Sequence, residues 1–573
     1  MRKPRMLAHR RMRKSPSTLV EALSELPRGT ARGFRFIGAD GQERYFPYQA
    51  LEAEARRRAQ LLAQLGIEKG DRIALVIPEG HEFVLSFLGA VLLGAVPVPI
   101  FPRATFKVSS DYTDTVRHIA EASEARLLIA MEANRALVEP LLQAGAGSPS
   151  QLSQLATVEQ LFAPENVPRS ELPLPRVSAD DLCFLQFTSG STARPKGVMV
   201  SHRNLIANAT AFLGPDGLDR RDEDVGVSWL PLFHDMGLIG FILGPLIMDI
   251  PVVILPTASF ARGPKIWLET IDKYRGSITY APNFAYALAT KRLKAKDVAA
   301  LDLSCVRIAG CGAEPIQAAT LREFATALAP AGLAATVLLP SYGMAEATLA
   351  ITFHARAQPL RTDKVDSVAM REGRAVPSVA SDALELVSCG KPFPGHELAV
   401  VDPQGARVTE RSVGEIVVRG PSVSAGYYKN AEANAQTFRS DGFLHTGDLG
   451  YLADGELFIC GRSKDLIIIR GANYHPQDLE WAVSELEGVR RGNVVAFSTQ
   501  IDGEERLVLA VECGSADAES LRARVASRIT EAFGLAPHEV VAVTLGGLPK
   551  TSSGKVQRKK TQALYQAAQL DRH

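Results

Sequence analysis

Two textures alternate along the first two thirds of the chain. Short continuous runs of branched apolar residues, RIALVIP (72–78), RLLIAM (126–131), VVILP (252–256) and ATVLLP (335–340), are separated by longer stretches of helical character. Strands apolar on both faces belong in parallel sheets covered by helices on both sides. The run FVLSFLGAVLLGAVPVPIF (83–101) is broken by Gly94, Pro97 and Pro99. It matches a membrane span in length but predicts a buried helix that runs into a strand. Residues 143–154, rich in Gly, Ser and Gln, predict a surface loop. Beyond Gly390 the pattern changes: ELAVVD, GEIVVRG and ELFICGR predict short antiparallel strands with tight turns. After Arg462, DLIIIRG, a helix over 476–486, NVVAFS, RLVLAVE, a helix over 520–533 and VVAVTL follow. These predict a compact α+β unit of about 100 residues.

The expected fold is therefore α/β. A large N-terminal domain (16–462) contains parallel and mixed sheets layered with helices over 16–389 and a small β-barrel-like subdomain over 390–462. A small α+β domain follows over 463–573. With 573 residues, 46% hydrophobic and 22% charged, the chain is globular and too long for one core. Its net charge of +1 gives no bulk attraction to nucleic acid. Six cysteines (183, 305, 311, 389, 460 and 513) include no C-x-x-C pair, which excludes the usual zinc and dithiol patterns and suits a reducing, cytoplasmic setting. Residues 1–15 carry seven Lys and Arg with no apolar stretch after them. That reads as a basic disordered tail or a transit segment, not a secretory signal. No transmembrane span is expected.

Polar chemistry gathers after the strand-like DLCFLQF. Thr188, Ser189, Ser191 and Thr192 offer hydroxyls, Gly190 and Gly197 give turning freedom, and Lys196 adds a cation. That set suits a polyphosphate. It lacks the G-x-x-x-x-G-K-[ST] order of a Walker loop and the G-x-S-x-G of a nucleophile elbow. Taken alone, it reads equally as a polar surface loop.

Six further strings accompany FTSGSTARPKGV (187–198): WLPLFHDMGLIG (229–240), GCGAEP (310–315), SYGMAEATL (341–349), HTGDLGYL (445–452), GRSKDLIIIRG (461–471) and LPKTSSGKVQRKK (548–560). Together and in this order they resemble the signatures of the adenylate-forming superfamily, which holds acyl-CoA synthetases, peptide-synthetase adenylation domains and luciferase. The resemblance implies ATP and Mg²⁺ as cofactors. It implies that Gly312, Ala313 and Glu314 form the adenine-side segment, that Ser341, Tyr342, Gly343 and Met344 also bind the nucleotide, that Asp448 holds the ribose and that Arg462 contacts the ribose or a phosphate. Glu346, with Thr188, is the metal candidate; a helix-end carboxylate is the plain alternative. Tyr342 is read as a ring on adenine or a core aromatic, and Asp448 as a ribose acceptor or a turn cap. Lys555 and Lys196 are the catalytic cations, Lys555 acting on the charge that develops as a carboxylate meets the α-phosphate. Without the resemblance, Lys555 belongs to a solvated basic tail. Lys464 resembles a hinge about which a mobile C-terminal domain swings. His234, Met236 and Phe284 are placed at the acyl pocket.

The wording of LQFTSGST, SHRNL, WLPLFHDMGLIG, APNFAYAL (281–288) and GRSKDLIIIRG resembles the fatty acyl-AMP ligases. That branch implies a fatty acid as substrate and an acyl carrier protein as acceptor, with CoA as the alternative; a stand-alone aryl- or amino-acid adenylating enzyme and a non-catalytic adenylate-binding relative rank below both. KVDSVAMREGRAVP (364–377) resembles that branch's inserted segment, or is a plain surface loop. Ala193, Cys311 and the order Asn473-Tyr474-His475-Pro476 depart from the usual signatures.

Overall fold

The computed structural model describes residues 15–27, 32–102, 110–141, 152–169, 172–188, 194–469, 472–490, 492–501, 504–514, 518–551 and 555–573. The basic tail and the residues Ser189, Gly190, Ser191, Thr192 and Ala193 lie outside them.

The apolar runs become strands of two sheets, those at 252–256 and 335–340 entering a nine-stranded one. Its strands, in order, are Lys391–Pro392, Ala350–Phe353, Leu338–Gly343, Ile308–Cys311, Ile278–Ala281, Gly226–Ser228, Val252–Ile254, Gly33–Ile37 and Glu43–Pro47. Pairing is parallel from Leu338–Gly343 through Gly33–Ile37 and antiparallel at both ends. A second sheet, Val96–Pro99, Arg72–Val76, Ala125–Ala130 and Gln154–Thr157, is wholly parallel. Its helix Gly80–Leu92 is almost entirely buried, which explains the membrane-like run: a helix between two layers is apolar all round. The largest core cluster, with Trp267, Tyr286 and Phe324 at its aromatic centre, is shared by both sheets.

A four-stranded antiparallel sheet follows: Glu397–Val401, Gly414–Arg419, Leu444–Ala453 and Glu456–Arg462. Beyond it, Val494–Ile501, Glu504–Glu512 and Glu539–Val543 form a mixed sheet. That sheet carries its own apolar cluster on each face, one with Leu479, Val483 and Val525, the other with Phe497, Val541 and Leu570.

Four local expectations need correction. HTGDLG is not a tight turn but part of the strand Leu444–Ala453; a bulge at Leu449/Gly450 and a left-handed Gly447 (φ 71°) gave it the sequence texture of a turn. Gly197 does not turn the chain either. It opens the strand Gly197–Ser201, where a Cβ would come within 2.9 Å of the Phe187 ring, so its role is close approach. Gln154 starts a strand instead of ending a loop, and Ala335–Val337 is a 3₁₀ turn before its strand begins at Leu338.

Candidate active site

One cleft of about 2730 Å³ runs between the nine-stranded sheet, the antiparallel sheet and the C-terminal unit. The described candidates for nucleotide, metal, hinge and acyl-pocket roles line it: Thr188, Lys196, His234, Met236, Phe284, Gly312, Ala313, Glu314, Ser341, Tyr342, Gly343, Met344, Glu346, Asp448, Arg462, Lys464 and Lys555. They arrive from strand ends and loops 367 residues apart in sequence, between Thr188 and Lys555.

The phosphate-loop candidate is the connection of an antiparallel hairpin, Leu182–Phe187 with Gly197–Ser201. Its ends are tied where Thr188 N–H donates to the Lys196 carbonyl (3.0 Å) and Lys196 N–H to Thr188 Oγ1 (3.4 Å). From the parallel sheet's helix Ser110–Ala122, His118 Nε2 meets the Pro195 carbonyl at 2.9 Å. Lys196 Nζ stands 4.9 Å from the centre of the Tyr427 ring, a cation–π distance.

Opposite, Asp448 and Arg462 are cross-strand partners. Arg462 Nε donates to Asp448 Oδ1 (3.0 Å) and the Tyr342 hydroxyl donates to Asp448 Oδ2 (2.7 Å). Burial, with Asp448 beside it, pushes the Tyr342 phenol well above its usual range, so it stays a donor. The strand bearing Asp448 is itself pinned: Glu415 accepts the Gly447 N–H on Oε1 (3.1 Å) and faces His445 Nδ1 with Oε2 (3.0 Å).

Glu346 lies in the 3₁₀ turn Ala345–Ala347 and is buried. Burial raises its carboxyl above the usual value, opposed by the Tyr427 hydroxyl, which donates to Oε1 at 2.6 Å.

Lys555 comes from the C-terminal unit and donates to the carbonyl of Ala313. Ala313 holds a left-handed backbone (φ 68°), a strained state for alanine. Burial lowers the Lys555 pKa, and the Glu314 and Asp235 carboxylates oppose that shift. Glu314 lines the same cleft. Its Oε1 accepts the Phe284 N–H (2.6 Å) at the start of the helix Asn283–Arg292, and burial raises its pKa. Asp235 is half-buried; against the desolvation that raises its pKa, His234, whose Nδ1 lies 2.5 Å from Oδ1, holds its carboxyl below the usual range.

Apolar side chains line the same cleft, among them Phe284, Met236, Phe212, Phe241 and Ile278. Lys464 is exposed on the 3₁₀ turn Ser463–Asp465. Behind it Arg558 bonds Asp465 and Glu480, each at 2.7 Å, which ties this turn to the helix that follows Lys555. Sequence reasoning passed over Tyr427, Asp235 and Arg558. Asp235 sat inside a quoted string, Arg558 looked like one more basic tail residue, and Tyr427 had no motif to announce it.

The fold and this two-part cleft mark the class: an adenylate-forming enzyme. A family model described as AMP-binding enzyme matches residues 28–428. A Caulobacter vibrioides protein provisionally named an acyl-CoA synthetase is 37% identical, with 91% of this chain and 90% of the relative covered. The medium-chain fatty acid–acyl carrier protein ligase JamA of Moorena producens is 33% identical over the same shares. Among solved structures, one from a study of fatty acyl-adenylate ligases of E. coli and L. pneumophila superimposes with a TM-score of 0.89 at 35% identity, covering 96% of this chain and 98% of the other. The chain belongs to the AMP-binding enzyme family, in its fatty acyl-AMP ligase branch, and is a ligase that uses ATP. No helix among the described residues is long and apolar enough to cross a membrane.

Proposed function

We propose that this enzyme joins a medium- or long-chain fatty acid to AMP, releases pyrophosphate, and passes the acyl group to the phosphopantetheine thiol of an acyl carrier protein. The observation that carries this reading is that one cleft is lined both by Lys555, Asp448 and Arg462 and by the apolar side chains of Phe212, Phe241 and Ile278. An alkyl chain and a nucleotide then meet at the ammonium. In the first step a carboxylate oxygen bonds to the α-phosphorus as the bond to pyrophosphate breaks. Lys555 offsets the charge that accumulates between two anions. Asp448 and Arg462 hold the ribose, Tyr342 faces the base, and Thr188 and Lys196 hold the outer phosphates.

Among the described residues no three His, Cys, Asp or Glu side chains gather as a metal cage. Glu346 with the Thr188 hydroxyl fits Mg²⁺, which is commonly held by one or two carboxylates plus substrate phosphates. When bound, the ion neutralises phosphate charge. In the second step the thiol attacks the acyl carbon and AMP leaves, with His234 at the approach. Residues 463–573 act as the mobile unit, turning about Lys464. Six cysteines in 573 residues, with no C-x-x-C pair, fit a cytoplasmic setting.

The Caulobacter relative supports CoA as a second acceptor. Offering CoA and a carrier protein side by side after adenylation, with products read by mass spectrometry, separates the two. Acyl-carrier product in excess supports the proposal; acyl-CoA alone overturns the acceptor.

A further inference from the structure

Tyr427 is held on every side. Its N–H donates to Asn434 Oδ1 (2.6 Å) and its carbonyl accepts from Asn434 Nδ2 (2.9 Å). The Phe438 ring meets it edge-on at 5.6 Å, and only 5% of the residue is exposed. The segment on which it sits ties two loops together. On one side Met199 N–H donates to the Gly426 carbonyl (2.9 Å) and Tyr428 N–H to the Gly197 carbonyl (2.8 Å), which joins it to the hairpin of Lys196. On the other, Ser424 N–H donates to the Glu346 carbonyl (2.9 Å) and Thr348 Oγ1 to the Ser422 carbonyl (2.6 Å). From that fixed place the hydroxyl donates to Glu346 Oε1 (2.6 Å), while the ring face receives Lys196 Nζ at 4.9 Å.

We propose that Tyr427 is the positioning residue of the phosphate site: its hydroxyl fixes the rotation of the Glu346 carboxylate and its ring face fixes the Lys196 ammonium, so that one side chain sets the spacing of the metal ligand and the phosphate cation. A carboxylate bonded through one oxygen has the direction of the other settled in advance. A cation resting on a ring is held without being neutralised, and so keeps its full charge for a phosphate. The two functions use different parts of the same residue, which makes them separable. The inference rests on the nucleotide reading above.

The experiment measures binding of α,β-methylene-ATP to the full-length enzyme, with Mg²⁺ and with EDTA, by calorimetry. Binding by the wild type tests the nucleotide reading itself; the pattern among variants tests the role of Tyr427. Tyr427→Phe keeps the ring and loses the hydroxyl. It is expected to weaken binding about tenfold with Mg²⁺, the scale of a lost hydrogen bond to a charged group, and to leave binding in EDTA unchanged. Tyr427→Leu is expected to weaken binding in EDTA as well, by roughly threefold, and Lys196→Met should match it there. In a Glu346→Gln background, Tyr427→Phe should add less than twofold. Equal losses with and without metal for Tyr427→Phe, or a full tenfold loss in the Glu346→Gln background, would overturn the assignment. Should Tyr427→Leu not fold, Tyr427→Phe, Lys196→Met and the double variant decide it alone.

Discussion

Replacing Lys555 with methionine keeps the length of the side chain and deletes its charge. The ammonium donates to the Ala313 carbonyl and lies in the field of Glu314 and Asp235, so it is held in place before substrate arrives. A preorganised donor or cation of this kind contributes about 3–4 kcal/mol to the transition state, or 10²–10³ in rate. Ground-state affinity for ATP is spread over Asp448, Arg462 and the loop at Lys196, so binding should weaken by less than about tenfold. Single-turnover release of pyrophosphate, beside nucleotide titration, separates the two effects. The charge argument also has a pH signature. Burial lowers this lysine's pKa from 10.5, and the protonated form is the working one. Adenylation must therefore fall as pH rises through a value below 10.5, and Lys555→Arg, charged throughout, must lose that alkaline limb. A Lys555→Met enzyme with a rate within fivefold of the wild type, or an alkaline limb that persists in Lys555→Arg, would refute the role.

Tyr342→Phe removes the 2.7 Å bond to Asp448 and leaves the ring; the KM for ATP should rise about tenfold with a smaller change in kcat. Gly343→Ala puts a Cβ 1.9 Å from the Leu349 carbonyl, backbone against backbone. It should cost more than about 2 kcal/mol, seen as a lower urea midpoint. Asp478 is pushed by burial, and secondarily by Glu480, from 3.8 up to about 7. A raised carboxyl pKa favours the folded state below about pH 4 and loses that contribution as pH rises to about 7. Asp478→Asn should therefore flatten the loss of stability between those values and raise the unfolding free energy at pH 8 by a few kcal/mol at most, read as a higher urea midpoint.

Sheet strands were legible because a strand buried on both faces has no polar alternation to blur it. Helices such as Gly80–Leu92 were legible once prolines excluded a membrane reading. The chemistry was legible only as an ordered set of strings, since Lys555 or Asp448 alone is chemically ordinary. What failed has local causes. HTGDLG has turn composition because a bulged strand also uses glycine, and Gly197 is set by the Phe187 ring across the hairpin, which no window around residue 197 reveals. Tyr427 depends on three long-range contacts, to Lys196, Glu346 and Phe438. Its importance is a property of the fold alone.

The central claim is acyl-adenylate formation on a fatty acid. Incubating the full-length enzyme with ATP, Mg²⁺ and a series of medium- and long-chain fatty acids, then measuring acyl-AMP by mass spectrometry against released pyrophosphate, tests it directly. Acyl-AMP and pyrophosphate should appear in equal amounts for at least part of the series. Absence of both across the series, or release of phosphate in place of pyrophosphate, would contradict it.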